Sequence, residues 1–195
     1  EIFENNVRQE YNLSVSGASD KMNYYMSAGY LDDQGIVPNS GFQRYSARLK
    51  ADYQVKPWLK LGANVSFTHY DSREQDTEGG TSNANIFYAS NIMGAIYPMY
   101  IRDAQGNIMT DNRGFQRYDY GKKGQDTNGS RNTIPNANPL ASYMLDKMKY
   151  SGDVVSGKWF ADVDIWGGIK AKVNIGVDAN NVRNTDMVNP FYGQY

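Results

Sequence analysis

From Tyr11 onward, apolar and polar side chains alternate along several stretches of the chain. Because successive residues of a β-strand point to opposite faces, such an alternation predicts strands with one apolar and one polar face. The clearest stretch is 44–53, in which Tyr, Ala and Leu alternate with Arg, Ser, Lys and Asp. The pattern recurs in six stretches, which are residues 11–19, 22–30, 44–53, 59–68, 159–165 and 170–179. We therefore expect an all-β fold of about six two-faced strands.

The connections between these stretches alternate between short and long. The short ones carry turn-forming residues and lie at 19–21, 54–58 and 167–168. The long ones run from 32 to 41 and from 71 to about 157. Short turns at one edge of a sheet and long loops at the other are typical of outer-membrane β-barrels. The sequence thus predicts a segment of a large antiparallel transmembrane β-barrel with a long extracellular loop region.

The composition agrees with this prediction. Among 195 residues there are 16 Tyr, 7 Phe and 3 Trp, yet the mean hydropathy is −0.68. Tyrosine in a hydrophilic chain suits half-wet surfaces, such as the aromatic girdles of a membrane barrel. Tyr45 and Tyr53 lie on the apolar face of one predicted strand, and at ~3.3 Å per residue and ~40° of tilt they stand roughly 20 Å apart in height. No apolar run approaches the ~20 residues of a membrane helix, which excludes a helical membrane protein.

On this interpretation the apolar face contacts lipid and the polar face lines the lumen of the barrel. The expected lipid-facing residues are Leu13, Val15, Leu49, Leu61, Val65, Val163, Val173 and Ile175. The expected lumen-lining residues are Arg44, Arg48, Lys50, Asp162 and Asp164, with Lys172 beside them.

Three regions follow from the same patterns. Residues 1–70 hold the first four strands, 71–152 form the long loop, and 153–195 hold the last two strands and the start of the next loop. The long loop is expected to fold, because it contains its own local signals. A helical period covers the neighbourhood of 86–93, residues 98–110 suggest a small hairpin, and a second helix is expected from Asn138 as N-cap through Pro139 to about Lys147.

Several chemistries lack the residues that they require. The net charge is −1, and a nucleic-acid partner would need a basic excess. The chain has no Cys and a single histidine, His69, which rules out thiolate and histidine-based metal sites within it. Neither acidic loop, at 32–35 or 103–107, matches the calcium-loop motif, and turn chemistry explains both. We expect neither a metal nor a cofactor, and we place His69 at a membrane interface or the base of a loop.

Two motifs suggest catalysis only superficially. Residues 152–158 nearly match a phosphate-binding P-loop, but Trp159 replaces the required Ser or Thr and a strand pattern follows instead of a helix. Asp162 and Asp164 project from one face of a strand, a spacing compatible with the roughly 5–10 Å between the two carboxyls of a glycosidase. Such pairs normally need distinct environments, whereas these two share a wet wall beside lysine-bearing strands. We therefore expect binding and no covalent chemistry.

The long loop offers a binding surface. Its aromatic residues stand among Asn, Gln, Asp and Arg, a mixture that stacks on sugar rings or peptides and hydrogen-bonds their edges. The candidate ligand-binding residues are Phe87, Tyr88, Tyr97, Tyr100 and Tyr118, with Phe115 and Tyr120 nearby. The alternative for each aromatic is a place in the loop's own core, with Phe87, Met93 and Ile96 as the expected members.

A series of short motifs resembles a known family. The motifs are YNLSVSGA, SDK, GYLD, GFQRYS and WLKLGANVSF, in this order, followed by NIFYASNIMGAIYP, NPLA and KVNIGVD. Together they resemble the SusC/RagA group of TonB-dependent outer-membrane transporters of Bacteroidetes. Ala18 stands where the family usually has a second glycine.

The resemblance implies a barrel of about 22 strands around a plug domain, energised through TonB, with a SusD-like lipoprotein over the extracellular loops. Such proteins import oligosaccharides or peptides as nutrients and are not enzymes. The chain begins at Glu1, and we expect an interior piece of a longer protein, with the plug and the TonB-contacting segment elsewhere. Two alternatives stay open, a soluble all-β carbohydrate-binding module and a strand-based glycosidase.

Overall fold

The computed structural model describes residues 3–74, 85–94, 96–121, 131–134 and 138–187. In these residues a single antiparallel sheet of six strands follows the chain order. The strands are β1 (Arg8–Ala18), β2 (Met22–Gln34), β3 (Gly41–Lys56), β4 (Leu59–Arg73), β5 (Lys147–Trp166) and β6 (Ile169–Met187). Within the described part of the chain, β1 and β6 each pair on one side only, so the sheet is open.

The strands extend further at the loop edge than the alternation indicates. β4 continues to Arg73 and β5 begins at Lys147, so the connecting region, which we call the lid, covers residues 74–146. The predicted bounds of 71 and 152 came from the loss of alternation, because residues 71–73 are polar on both faces. The backbone ladder nevertheless continues, pairing Asp71 with Ser151. The expected start of a further loop after β6 falls on 188–195, outside the described residues.

The tight connections lie together at one edge of the sheet, as predicted. Gly167 and Gly168 have φ angles of 58° and 85°, and this pair of positive φ angles is typical of a two-residue hairpin turn in which glycine is favoured. At the opposite edge lie the β2–β3 loop, residues 35–40, and the lid. We call these the turn edge and the loop edge of the sheet.

Two short helices form in the lid where the sequence predicts them. Asn85 caps α1 (Ile86–Ile92), with its side-chain oxygen accepting from the backbone N–H groups of Phe87 and Tyr88. Asn138 caps α2 (Pro139–Leu145), accepting from Ala141 N at 3.0 Å. None of the described helices is both long and apolar enough to cross a bilayer.

The hydrophobic core lies in the lid rather than on the sheet. Its main cluster comprises Ala89, Met93, Met99, Tyr118, Ile134, Leu140 and Ala141. A second cluster joins Val37 of the β2–β3 loop to Ile86 of α1 and Tyr143 of α2. Asn39, with φ of 60°, donates to the Tyr143 carbonyl oxygen at 2.9 Å. The β2–β3 loop therefore anchors the lid at the loop edge of the sheet.

Candidate functional site

Strand pairing places the residues of the sheet in rows that cross all six strands. The row through Leu49 contains Val15, Met26, Leu49, Val65, Gly157 and Val177. Every member is apolar or glycine, and the side chains are unusually accessible: Leu49 is 46% exposed, and Leu13 in the next row is 71% exposed. Monomeric soluble proteins rarely expose contiguous apolar surface of this extent. Within the described residues, no second layer packs on this face.

Aromatic side chains mark the loop-edge limit of this apolar face. Tyr11, Tyr30, Tyr45 and His69 occupy one row, with successive ring centroids 6.4, 5.0 and 6.3 Å apart. We call these residues the aromatic row. The next row towards the loop edge is entirely polar and consists of Gln9, Asp32, Gln43, Asp71, Ser151 and Arg183. On β5 and β6 the aromatic row continues with Asp153 and Asn181, so on these two strands the change from apolar to polar occurs one row earlier than on β1 to β4.

Aromatic residues also border the face towards the turn edge. Tyr53 of β3 and Trp159 of β5 lie on the apolar face, and Trp58 and Trp166 stand at two of the turns. Between these residues and the aromatic row the face is apolar, with Leu49 midway between Tyr45 and Tyr53. Two aromatic borders around an apolar band are the outer surface expected of a membrane barrel.

The opposite face carries the residues predicted to line the lumen. Arg44, Arg48, Lys50, Asp162 and Asp164 all lie on this face, one residue out of step with the apolar set. Arg48 donates from Nε to Asn64 Oδ1 at 3.0 Å, and Arg44 lies 3.7 Å from the Glu10 carboxylate.

Towards the turn edge, the charges of the polar face neutralise one another. Asp162 pairs with Lys172 at 3.4 Å and Asp164 with Lys170 at 3.2 Å. Both lysines belong to β6, and the ring of Phe160 lies 5.1 Å below the Lys172 ammonium. Each carboxylate thus has its own lysine partner, as is common on a solvated surface. A catalytic pair of carboxylates instead needs two different environments, so that their pKa values differ. The P-loop-like stretch 152–158 lies inside β5.

The lid contains a repeated turn, in which an Asp side chain accepts from two backbone N–H groups, at 103–107 and again at 111–115. The hairpin predicted over 98–110 includes only the first of these turns. Asp103 accepts from the N–H groups of Gln105 and Asn107 at 2.9 and 2.8 Å, which confirms the turn assigned to 103–107. Its hydrogen bond from the Asn107 side chain lowers the pKa of the Asp103 carboxyl below its usual value. Asp111 accepts in the same way from Arg113 and Phe115 N–H groups, both at 2.9 Å.

Three short segments, around residues 100–102, 108–110 and 116–118, are joined by backbone hydrogen bonds. Ile101 N donates to the Arg117 carbonyl oxygen, Arg117 N to that of Met109, and Met109 N to that of Ile101, at 2.9 to 3.0 Å. The predicted hairpin is present as the first two segments, and a third segment completes it. These bonds form a small backbone framework, and its segments contribute Met99 and Tyr118 to the main core cluster.

A buried polar cluster joins this framework to α2. The Asp119 carboxylate lies 3.8 Å from the Arg131 guanidinium, and their side chains are 2% and 1% exposed. Asn138 donates to the carbonyl oxygens of Met99 and Asp119 at 2.7 and 2.9 Å. Burial lowers the pKa of Arg131 below its usual value, while the Asp119 charge opposes that shift. We call Asp119, Arg131 and Asn138 the buried lid cluster.

Sequence reasoning assigns Asn138 only a capping role and overlooks Asp119 and Arg131. The available signal is the recurrence of Asp at 103, 111 and 119, of which the first two are followed by glycine three residues later. That spacing identifies the repeat. It does not show which carboxylate is buried, because burial of Asp119 depends on distant Arg131.

The five candidate ligand-binding aromatic residues of the lid differ in how far their side chains are exposed to solvent. Phe87 is 46% exposed on α1 and lies 6.0 Å from the ring of Phe3. Tyr88 is half-buried, and Tyr97 and Tyr100 pack against the main core cluster. Tyr118 is buried in that cluster, 5.1 Å from the Tyr100 ring, and burial raises the pKa of its hydroxyl to about 12. Of the residues expected in the lid's own core, Met93 is buried, whereas Phe87 and Ile96 are exposed.

No cluster of three or more His, Cys, Asp or Glu side chains suited to a metal occurs among the described residues. His69 donates from Nδ1 to Asp153 Oδ1 at 2.7 Å, since the carboxylate oxygen can only accept. It lies at the loop end of β4, in the aromatic row.

Comparison with known proteins identifies similar receptors. The chain is 30% identical over 87 residues to TonB-dependent receptor P39 of Formosa agariphila, which is 45% of this chain and 8% of that protein. It is 32% identical over 85 residues to TonB-dependent receptor SusC of Bacteroides thetaiotaomicron, covering 43% and 8% of the two chains. TonB-dependent receptor P3 of Formosa agariphila is 23% identical over 186 residues, which is 94% of this chain and 16% of that protein. No family model matches the chain.

The fold matches a solved transporter. A chain from the structure of the RagAB peptide transporter superposes with a TM-score of 0.65 and 22% identity, over 92% of this chain and 18% of that one. This match confirms the predicted fold class, a six-stranded segment of a large β-barrel with a loop region. Together with the receptor matches, it confirms the resemblance to SusC/RagA-type TonB-dependent transporters. The chain spans less than a fifth of the length of each of these relatives.

Proposed function

We propose that this chain forms part of the wall and the outer loops of an outer-membrane TonB-dependent transporter. The observation that carries the proposal is the apolar band of the sheet, bordered by the aromatic row at the loop edge and by Tyr53 and Trp159 towards the turn edge. A band of this kind is stable when lipid covers it. The similarity to TonB-dependent receptors supports the same function.

The polar face then borders the path of the cargo, and the lid stands at the extracellular end. The transported molecules are oligosaccharides or peptides, and a SusD-like lipoprotein meets the lid from outside. SusC and RagAB, to which the chain is similar, support this partner class. Energy coupling through TonB depends on other parts of the protein. Passage involves binding and release, with no covalent step.

The soluble carbohydrate-binding module is the second candidate. It would need another layer over the apolar face, and the described residues provide none, since Leu13, Leu49 and Ile175 are 71%, 46% and 59% exposed. The glycosidase alternative is weakened by the lysine partners of Asp162 and Asp164.

Localisation of the full-length protein tests the proposal directly. We expect it in the outer-membrane fraction, extractable only with detergent, and migrating faster on an unheated than on a heated SDS gel because the folded barrel resists the detergent. A protein recovered in the aqueous fraction and monodisperse without detergent would instead identify the soluble module.

Cargo contact by the lid can be tested at α1, where two candidate aromatics are accessible. Replacing Phe87 and Tyr88 together by Ala should weaken binding of the imported glycan or peptide about tenfold, since exposed rings contribute stacking area. Calorimetry against a panel of glycans and peptides identifies the ligand and measures the loss.

Tyr118→Phe is the matched control for these changes. It removes a hydroxyl inside the lid core and leaves the surface of α1 unchanged. Equal affinity of the Phe87/Tyr88 variant and the unaltered protein for every ligand would remove α1 from the binding site.

A further inference from the structure

Three cations stand at mid-height on the polar face of the sheet. Arg48 and Lys50 of β3 flank Leu49, which lies at the middle of the apolar band on the opposite face. Lys158 of β5 shares a row with Lys50, and Asn64 of β4 lies between them. Because neighbouring strands are ~4.8 Å apart, the backbones of the two lysines are about 10 Å apart, and both side chains can reach a group held over Asn64. We call Arg48, Lys50 and Lys158 the mid-wall cations.

The mid-wall cations lack the carboxylate partners that neighbouring cations have. Within the described residues, no carboxylate lies within ion-pair distance of any of the three. Towards the loop edge, by contrast, Arg44 lies 3.7 Å from the Glu10 carboxylate. The two rows of the mid-wall cations contain one carboxylate, Asp178 of β6, which accepts from Ser156 Oγ at 2.5 Å. The polar face therefore carries an excess of positive charge at this height.

Hydrogen-bond donors also exceed acceptors around these cations. Asn64 accepts from Arg48 Nε through Oδ1 at 3.0 Å, and its amide nitrogen has no partner among the described residues. Lysine and arginine side chains donate and cannot accept. Positively charged donors form their strongest hydrogen bonds with oxyanions such as carboxylates. The mid-wall cations are therefore suited to bind an oxyanion.

A cavity of about 500 Å³ opens beside the two lysines. Sites for small molecules in proteins have volumes of roughly 300–1,000 Å³. The amide of Asn174 and the ring of Phe160 also line the cavity. Asp52 lines it as well, but Lys60 at 3.7 Å balances the charge of this carboxylate. The cavity thus combines positive charge, amide groups and an apolar ring, a combination that fits a charged sugar.

The rest of the wall at this height suits a sugar better than a peptide. In the row through Arg48, the positions on β1, β2, β4 and β5 are all serine, namely Ser14, Ser27, Ser66 and Ser156. Serine hydroxyls both donate and accept, as the hydroxyl groups of a sugar require. Such a row offers no apolar pocket for the side chains of a peptide. We therefore favour a glycan over a peptide as the source of the oxyanion.

The height of the mid-wall cations excludes lipid as that source. On β3 the apolar face continues on both sides of Leu49, to Tyr45 and Tyr53, and on β5 it runs from Val155 to Val163. Lipid headgroups lie beyond the ends of such a band and on its outer side. An oxyanion at this height therefore belongs to a molecule inside the barrel.

We propose that Lys50 and Lys158, with Arg48 and Asn64 beside them, bind the carboxylate groups of an acidic oligosaccharide on its way through the barrel. The imported cargo is then a glycan that contains uronic acid. The proposal rests on the proposed function, because it requires the polar face to border the path of the cargo. The positive charge also raises the local concentration of such a cargo in the lumen.

Calorimetry on the full-length protein in lauryldimethylamine oxide tests the proposal. The probes are short oligosaccharides of galacturonate, of alginate and of hyaluronan, each beside its carboxyl-reduced counterpart. At least one acidic oligosaccharide should bind about a hundredfold more tightly than its reduced form, because each lysine loses a charge-assisted bond that contributes about tenfold. Lys50→Gln with Lys158→Gln should abolish this preference, and Lys50→Arg with Lys158→Arg should retain it.

The matched control is Arg8→Gln with Lys170→Gln. It also removes two cations from the polar face, but both have carboxylate partners, Asp33 at 3.8 Å and Asp164 at 3.2 Å. The preference for the acidic oligosaccharide should be unchanged in this variant.

Four outcomes would overturn the proposal. The first is that no acidic oligosaccharide binds more tightly than its reduced form, and the second is the same preference in the Lys50→Gln/Lys158→Gln variant. The third is tighter binding of oligoglutamate than of every acidic oligosaccharide, which would assign the site to acidic peptides. The fourth is an unchanged preference with a lower unfolding temperature in that variant, which would mean that the cations hold an acidic segment of the protein itself.

Two further measurements keep these outcomes separate from folding and from the proposed function. If the Lys50→Gln/Lys158→Gln variant fails to fold, the preference of the unaltered protein and its weakening by salt decide the question. Absence of the unaltered protein from the outer membrane would refute the proposed function, whereas a protein in the outer membrane that binds only neutral oligosaccharides would refute the acidic cargo alone.

Discussion

Leu49→Arg should block assembly of the barrel in the membrane, whereas Arg48→Ala should not. Leu49 is midway between Tyr45 and Tyr53 on the apolar face, and its row contains only apolar residues and one glycine. A cation at the middle of the bilayer costs about 2–4 kcal/mol on the lipid face of a barrel. Arg48 is the adjacent residue, but it points to the polar face and donates to Asn64.

The measurement uses the full-length protein refolded into phosphatidylcholine vesicles. Urea titration gives the free energy of unfolding, and the mobility of unheated samples on SDS gels gives the assembled fraction. Ser14→Arg is the matched control, because it introduces the same side chain in the row of Arg48, on the polar face. It should assemble like the unaltered protein.

Comparable losses for Leu49→Arg and Ser14→Arg would contradict the assignment of faces. Such a result would mean that an added arginine has the same effect on either face, as in a sheet exposed to water on both sides. The experiment therefore tests the orientation of the sheet separately from the identity of the cargo.

The strands could be predicted from the sequence because the polarity of each residue indicates which face of the strand it occupies. Alternation needs no distant partner, and the register confirms it in rows such as the one through Leu49. The structure extends β4 to Arg73 and β5 back to Lys147, beyond the predicted limits at Asp71 and Gly152. These extra residues lie outside the apolar band, where both faces are polar and only the backbone hydrogen bonds define the strand.

The helices of the lid were predictable for a similarly local reason. Asn85 and Asn138 cap their helices through bonds to residues two or three positions away. The buried lid cluster was not predictable, because the pairing of Asp119 with Arg131 depends on how the chain folds between them. The exposure of Phe87 and the burial of Tyr118 likewise depend on which neighbours cover each ring. Cargo contact by the lid aromatics stays a prediction.

Asp119→Ala should loosen the lid by about 3–5 kcal/mol, the usual cost of removing one partner of a buried ion pair. The Arg131 side chain is 1% exposed and would lose its carboxylate in a site that water does not reach. The change also removes the 2.7 Å bond that Asp119 Oδ1 accepts from Gly121 N. Hydrogen exchange should accelerate at the amides of Ile101 and Arg117, which donate to the carbonyl oxygens of Arg117 and Met109 within the lid framework.

The repeat supplies a matched control at Asp103. Its carboxylate accepts the same kind of backbone bonds, from Gln105 and Asn107, but lies at the surface with no buried cation beside it. Asp103→Ala should therefore accelerate exchange only near its own turn. The double variant Asp119→Leu with Arg131→Met removes both charges and should recover part of the lost stability, because an apolar pair needs no compensating charge.

The barrel should be unaffected by all three variants, since the lid has its own core and meets the sheet through the β2–β3 loop. Unheated mobility on SDS gels measures this independence. Equal exchange rates in Asp119→Ala and Asp103→Ala would show that the apolar cluster alone holds the lid. A loss of barrel assembly in Asp119→Ala would show that lid and sheet fold as one cooperative unit, because destabilisation of one part would then spread to the other.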